Sequence, residues 1–151
     1  MSIYCHLDYL ILNRYLPNAR IKLSISAIII TGGHRDNSQS KSVEVLRPNG
    51  SYWCSLPDLP QERWYHTQTG LVLCGGYHSD IRTSCLTFSS GQWIQSHTLQ
   101  HWRSRHSSWA SPDGPLVMGG FPNEEIEGNS TEMLTRDGQS TMYFALKYDT
   151  R

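Results

Sequence analysis

The chain has 151 residues, a length that fits one domain. Its 13 Lys and Arg are balanced by 13 Asp and Glu, so it is not expected to bind nucleic acid or acidic lipid through its overall charge. Only 17% of the residues are charged and 11% are aromatic, which favours β structure and argues against disorder. No apolar stretch approaches the roughly 18–20 residues of a membrane span, and no secretory signal is evident at the start of the sequence. We therefore expect a soluble protein, and an intracellular location is favoured although the compartment is not fixed.

The four cysteines, Cys5, Cys54, Cys74 and Cys85, do not have the spacing of a metal or redox motif. None of them forms a CxxC pair, so neither a zinc ribbon nor a dithiol redox site is indicated. We expect buried, reduced thiols that pack as small apolar side chains. Cys74 and Cys85 could instead face each other across a hairpin, and the spacing alone leaves that alternative open.

Three apolar runs end in a pair of glycines, at residues 28–33, 71–76 and 116–120. The three pairs are Gly32-Gly33, Gly75-Gly76 and Gly119-Gly120, and their first members follow one another at intervals of 43 and 44 residues. A period of this length indicates repeated supersecondary units.

Other residues repeat in step with the glycine pairs. Trp53 and Trp93, Arg63 and Arg103, and His66 and His106 are each separated by 40 residues. Each of these tryptophans follows a turn dipeptide, whereas the third unit has Asp137-Gly138 and then Tyr143 or Phe144 in place of Trp. Several features that keep the same register indicate a true repeat rather than a chance motif.

The second repeat unit predicts four short strands. Residues 66–69 form the first, residues 71–74 an apolar second strand, residues 84–88 the third, and residues 92–95 the fourth. Turns are predicted at Gly70 and at Ser90-Gly91, where glycine permits the positive φ of a tight hairpin. Four antiparallel strands in about 43 residues are typical of one propeller blade.

The order of these elements resembles the kelch repeat: an apolar strand is followed by a glycine pair, a Val-Glu-Val strand, a turn with Trp after it, and then Leu-Pro and Arg. The first occurrence consists of residues 28–33, 43–45, Trp53, 59–60 and Arg63, and the second of residues 71–76, Trp93 and Arg103. The resemblance covers about residues 16–147 and implies an all-β, kelch-type β-propeller of four-stranded antiparallel blades. It implies that the glycines and tryptophans are structural and that exposed loops bind partners. Recurrence at one position favours a structural role for Arg20, Arg63 and Arg103 as well.

The predicted propeller is incomplete. The sequence holds about three blades, over residues 20–56, 63–96 and 103–147, after a leader over residues 1–15 that would be the last strand of an upstream blade. Kelch propellers normally close with about six or seven blades, so we expect a fragment of a larger protein. Exposed blade edges would then permit self-association.

Catalytic motifs are missing from the sequence, which has no GxSxG, HExxH, P-loop or GxGxxG element. His97, His101 and His106 lie close together, but packed or solvated histidine is the preferred interpretation because no carboxylate is near them. We interpret the acidic residues 124–127 as a solvated turn. No enzymatic activity and no cofactor are therefore expected. The alternatives are a fragment of a galactose-oxidase-like copper enzyme and a structural remnant that binds nothing.

The loops after the glycine pairs are the predicted recognition surface, because loops on a rigid scaffold vary freely while the strands keep register. These loops span residues 34–41, 77–82 and 121–130. Tyr77, Arg82 and Phe121 are the candidate binding residues, since aromatic and arginine side chains dominate protein interfaces. The expected partner is a protein or peptide, and neither nucleic acid nor a membrane.

Overall fold

The computed structural model describes residues 27–35, 38–46, 52–77, 83–121 and 130–145. Over these ranges the protein is all-β, as predicted, and consists of three antiparallel sheets, none of which closes on itself. The same ranges contain no helix long and apolar enough to cross a membrane. Residues 1–15 and Arg20, for which a leader and a structural arginine are predicted, lie outside the described part.

The first sheet contains three strands, β1 (Ile28–Arg35), β2 (Ser38–Leu46) and β3 (Trp53–Leu56), paired in that order. The prediction that residues 34–41 form a loop is wrong, because β1 continues to Arg35 and β2 begins at Ser38. Pairing extends past the glycine pair because a shift in register between Thr31 and Gly33 absorbs it.

The second sheet contains β4 (Thr67–Thr69), β5 (Val72–Cys74), β6 (Ser84–Ser89) and β7 (Gln92–Thr98), paired in that order. The four predicted strands are confirmed, and β7 continues past its predicted end at residue 95. The predicted turn between β6 and β7 is confirmed too. Ser90 and Gly91 have φ values of 51° and 81°, the positive values that a two-residue hairpin requires.

Cys74 on β5 lies directly opposite Cys85 on β6, and the two form a disulfide with Cα atoms 4.1 Å apart. The expectation of reduced thiols is therefore wrong for this pair, and the hairpin alternative is correct. It is wrong for Cys54 as well, which is also disulfide-bonded. The strand register is the reason, because it places both side chains on one face of neighbouring strands. A sequence separation of 11 residues permits this register without requiring it.

The third sheet contains β8 (Ser107–Ser111), β9 (Gly114–Met118), β10 (Ser130–Leu134) and β11 (Ser140–Ala145), paired in that order. The prediction that Tyr143 or Phe144 replaces the repeated tryptophan is wrong. Ser140 lies opposite Leu134, just as Trp93 lies opposite Phe88 in the second sheet. The reason is that β11 begins at Ser140, two residues after Gly138, just as Trp93 lies two residues after Gly91.

Each sheet has two faces, which we call the upstream face, toward the preceding sheet, and the downstream face, toward the following one. The first junction packs the downstream face of the first sheet on the upstream face of the second, and its buried residues are Val43, Val45, Cys54, Leu56, Leu59, Leu73, Leu86, Phe88 and Trp93. The second junction joins the second and third sheets in the same way, and its buried residues are Cys74, Cys85, Leu99, Val117 and Leu134. Apolar burial of this kind is the main stabilising contribution between sheets.

A buried arginine links the first sheet to the second. The backbone N–H of Arg63 donates to the Ser40 carbonyl at 3.2 Å, and its carbonyl accepts from the Gly33 N–H at 2.9 Å, so its backbone belongs to the first sheet. Its side chain enters the second sheet, where Nη1 donates to the Gly75 and Ser84 carbonyls at 2.8 Å and Nη2 to the Ser84 hydroxyl at 2.7 Å. Burial lowers the pKa of Arg63 to about 10, so it remains a cation at neutral pH.

Arg103 repeats this arrangement one unit later. Its carbonyl accepts from the Gly76 N–H at 2.8 Å, and its Nη1 donates to the carbonyls of Gly119 and Ser130 at 2.8 and 2.9 Å. Arg103 also forms a buried salt bridge, since its Nη2 lies 2.9 Å from Oε1 of Glu132. Glu132 is fully buried. Its other carboxylate oxygen, Oε2, accepts hydrogen bonds from the Gln100 N–H at 2.6 Å and from the Ser140 hydroxyl at 2.7 Å.

A Glu132→Gln substitution is expected to lower the free energy of unfolding by about 3 kcal/mol, because it leaves the buried Arg103 guanidinium without its counter-ion. Urea unfolding followed by tryptophan fluorescence measures the change. Glu44→Gln is the matched control, because Glu44 occupies the same repeat position on β2 but is exposed, and a change below about 0.5 kcal/mol is expected there. Equal losses in the two variants would contradict the prediction.

Replacing both Cys74 and Cys85 with serine is expected to lower the free energy of unfolding by about 3 kcal/mol, since the disulfide closes a loop in the unfolded chain. Equilibrium unfolding with and without a reducing agent provides the measurement. The reducing agent should destabilise the native protein but have a smaller effect on the double variant. An equal response of both proteins would show that this disulfide is not responsible.

Candidate functional site

The segments that carry the buried arginines also bring aromatic residues together at one end of the sheets. Trp64 forms an isolated antiparallel bridge with Tyr77, and Ser104 forms the corresponding bridge with Phe121. The Tyr77 N–H donates to the Trp64 carbonyl at 2.7 Å, and the Phe121 N–H donates to the Ser104 carbonyl at 2.8 Å. The residue after each of these glycine pairs is thereby fixed against the segment that follows the buried arginine.

The glycine pair makes this close approach possible in the second unit. Gly75 and Gly76 have φ values of 59° and 103°, which favour glycine over residues with a side chain. A Cβ atom on Gly76 would lie 2.7 Å from the Trp64 carbonyl oxygen, closer than any side chain tolerates. The glycine pair therefore sets the position of Tyr77 beside Trp64.

Tyr65 and Arg105 occupy the same repeat position and share an unusual backbone conformation. Their φ values are 56° and 54°, in the left-handed region that residues with a side chain rarely adopt. The Arg105 N–H donates to the Tyr65 carbonyl at 2.9 Å, which links the two strained residues. Such conformations cost about 1–3 kcal/mol each and tend to occur at binding sites.

A cavity of about 300 Å³ lies at this end of the second and third sheets. Its lining residues come from both units, and they are Trp64, Tyr65, Tyr77, Trp102, Ser104, Arg105 and Phe121. The Trp64 and Tyr77 ring centroids are 5.3 Å apart, a normal aromatic contact. We call this surface the aromatic cavity.

The positive charge in the aromatic cavity belongs to Arg105. Its guanidinium carbon lies 4.4 Å from the Tyr65 ring centroid and 5.7 Å from that of Phe121, so cation–π contacts hold it in place. Within the described ranges, no carboxylate forms a salt bridge with Arg105. The cavity therefore offers an anion-binding group beside exposed aromatic rings.

The structure brings together two of the three predicted binding residues. Tyr77 and Phe121 are both exposed and both line the aromatic cavity, whereas Arg82 lies outside the described residues. Most of the predicted loops over 77–82 and 121–130, and the acidic residues 124–127, also lie outside them.

Sequence reasoning missed Tyr65 and Arg105 as site residues. The signal available was their place in the repeat, between an arginine and a histidine that recur in both units. A position whose residue differs between the two units, while the residues on either side recur, is a candidate for recognition rather than packing.

The two repeated histidines, His66 and His106, directly follow the cavity residues Tyr65 and Arg105 in the sequence. The ring of His66 is hydrogen-bonded through Nε2 to the Thr31 hydroxyl at 2.8 Å, and His106 is buried, which confirms its interpretation as a packed side chain. Burial and the neighbouring Arg63 lower the pKa of His66 to about 4. Burial, together with the neighbouring positive charge of Arg103, lowers the pKa of His106 to about 4 as well.

No family model matches the chain, and no curated protein matches its sequence. In the described part of the chain, no three His, Cys, Asp or Glu side chains are placed to hold a metal ion. What the aromatic cavity can bind is therefore inferred from its own side chains, which are exposed aromatic rings and one cation.

We expect the free energy of unfolding to fall as the pH decreases from about 6.5 to about 4. The folded protein keeps His66 and His106 neutral down to a pKa of about 4, whereas the unfolded chain binds protons near pH 6.5. Each histidine then contributes a slope of up to about 1.4 kcal/mol per pH unit. Urea unfolding at a series of pH values measures the slope, and His106→Gln should reduce it by about half. An unchanged slope in that variant would contradict the assignment.

Proposed function

We propose that this chain is a non-catalytic protein-interaction module of kelch-repeat type, part of an incomplete β-propeller, which binds a peptide segment of a partner protein in the aromatic cavity. The observation that carries the proposal is the convergence of Tyr77, Phe121 and Arg105 from two successive repeat units on one cavity. Aromatic and arginine side chains that are exposed at a cavity are typical anchors of a protein interface.

Repetition of one packing arrangement supports the propeller. The same junction of downstream and upstream faces joins both pairs of neighbouring sheets, and a buried arginine spans each of them. The first strands of the second and third sheets also contact each other, since the Thr69 hydroxyl donates to the Ser108 hydroxyl at 2.7 Å. Sheets that pack face to face with their first strands adjacent are expected around a common axis.

The cavity chemistry favours a peptide with an acidic side chain next to an aromatic or large aliphatic one. A guanidinium that lies over an aromatic ring can still direct its N–H groups to a carboxylate, which it fits in two parallel hydrogen bonds. The neighbouring rings of Tyr77 and Phe121 would bury an apolar side chain. Short peptides that expose both features are therefore the expected ligands.

An array of random heptapeptides tests this proposal. Peptides that the recombinant chain retains should be enriched in Asp or Glu beside Phe, Tyr, Trp, Leu or Met. The strongest of them is then titrated calorimetrically against the protein and its variants. Arg105→Gln, Tyr77→Ala and Phe121→Ala should each raise the dissociation constant about tenfold or more, because each removes an anchor.

Matched controls separate the cavity from the rest of the surface. Ile94→Ala removes an exposed apolar side chain on β7, and Arg136→Gln removes an exposed cation in the turn before β11. Neither residue lines the aromatic cavity, so both variants should bind like the parent chain. The proposal fails if no peptide is retained, as a structural remnant would predict, or if the three cavity variants bind as tightly as the controls.

A further inference from the structure

The same repeat position is buried in two sheets and exposed in the first. Leu73 on β5 and Val117 on β9 are both 0% exposed, whereas Ile30 on β1 is 48% exposed. These positions match because each residue lies two positions before the first glycine of a pair. Their partners on the next strand are Leu86, Glu132 and Glu44 respectively. The sequence thus places an apolar residue at each position, but in the first sheet it is left uncovered.

The repeated tryptophan gives the same result. Trp93 in the second sheet is 6% exposed, and its Nε1–H donates to the Pro57 carbonyl of the preceding unit at 3.0 Å. Trp53 has the matching position in the first sheet and is 44% exposed. Ile28, in the same cross-strand row on β1, is also exposed. The upstream face of the first sheet therefore has the composition of a junction, although none of the three described sheets covers it.

The third sheet presents the other half of such a junction. Val43 and Val45, on the downstream face of the first sheet, are buried by the second sheet. The matching residues of β10 are Thr131 and Met133, which are only partly buried. Trp109 on β8 lies in the same cross-strand row as Met133 and is exposed. In the part of the chain that the structure describes, no fourth sheet packs on this face.

We propose that a second copy of this chain covers both open faces. The downstream face of the third sheet packs on the upstream face of the first sheet of the other copy, and the reverse contact closes a two-fold symmetric dimer. The occupant is a second copy because each chain carries both complementary halves of a junction that it already forms twice internally. A formal net charge of zero leaves no overall repulsion against this association. The sequence pattern predicts self-association through blade edges, whereas the exposed apolar side chains indicate association through these two faces.

Sedimentation velocity of the full chain over a range of concentrations is the first test. The expected result is a reversible equilibrium between the 17.2 kDa monomer and a species of twice that mass. Ile30→Lys alters the upstream face, and Met133→Glu alters the downstream face at the position of Val45, which packs with Leu73 in the first junction. Each variant carries its charge at both junctions of the dimer, so the dissociation constant should rise about tenfold per junction and about a hundredfold in total.

Mixing the Ile30→Lys and Met133→Glu variants is the decisive experiment. A mixed dimer has one unaltered junction and one in which the introduced lysine meets the introduced glutamate as opposite charges, so dimer should reappear. Misfolded variants would not recover, which separates folding from association. Ile94→Lys, on the middle sheet and on neither open face, is the control and should dimerise normally. The proposal is overturned by a folded monomer at all concentrations, by assembly insensitive to the two variants, or by open assemblies larger than a dimer.

Discussion

The hydrogen bonds of two buried arginines determine how the sheets are placed. The backbone of Arg63 belongs to the first sheet while its side chain donates to the second, and Arg103 links the second sheet to the third in the same way. A guanidinium out of water must use its N–H groups in hydrogen bonds, because an unsatisfied buried charge is strongly unfavourable. Each sheet is thus positioned by its predecessor. The two units differ in one respect, since Arg103 has the carboxylate of Glu132 where the second unit has Leu86.

The aromatic cavity depends on the same arginines. The residue that follows each arginine, Trp64 or Ser104, pairs with the residue after a glycine pair. Both Tyr65 and Arg105 are forced into left-handed backbone conformations, which a less constrained loop would relax. The packing that joins the sheets therefore also determines the geometry of the proposed binding surface. A single constraint serves the stability of the fold and the position of the site.

The two junctions between the described sheets are of one type, and among these three sheets one half of such a junction remains exposed on the first sheet and the other half on the third. In the middle sheet both faces pack against a neighbouring sheet, with Leu73, Leu86, Phe88 and Trp93 buried on one face and Cys74 and Cys85 on the other. On the outer faces, exposed Ile30 and Trp53 occupy the positions of buried Leu73 and Trp93, and Trp109 is exposed as well. Exposed apolar surface of this kind is unfavourable in water and typical of interaction sites. The aromatic cavity and the end faces are accordingly separate surfaces with different expected occupants.

The sequence alone determined the repeat, the positions of the glycine pairs and the strands of the second unit, because turn residues and apolar runs act locally. It also indicated Tyr77 and Phe121, since both follow a glycine pair. The tertiary structure decided what depends on register between strands. It placed Ser140 rather than an aromatic residue opposite Leu134, and it joined Cys74 to Cys85. It also decided that Arg105 lies among aromatic rings, because that contact joins residues of different units, which no local pattern encodes.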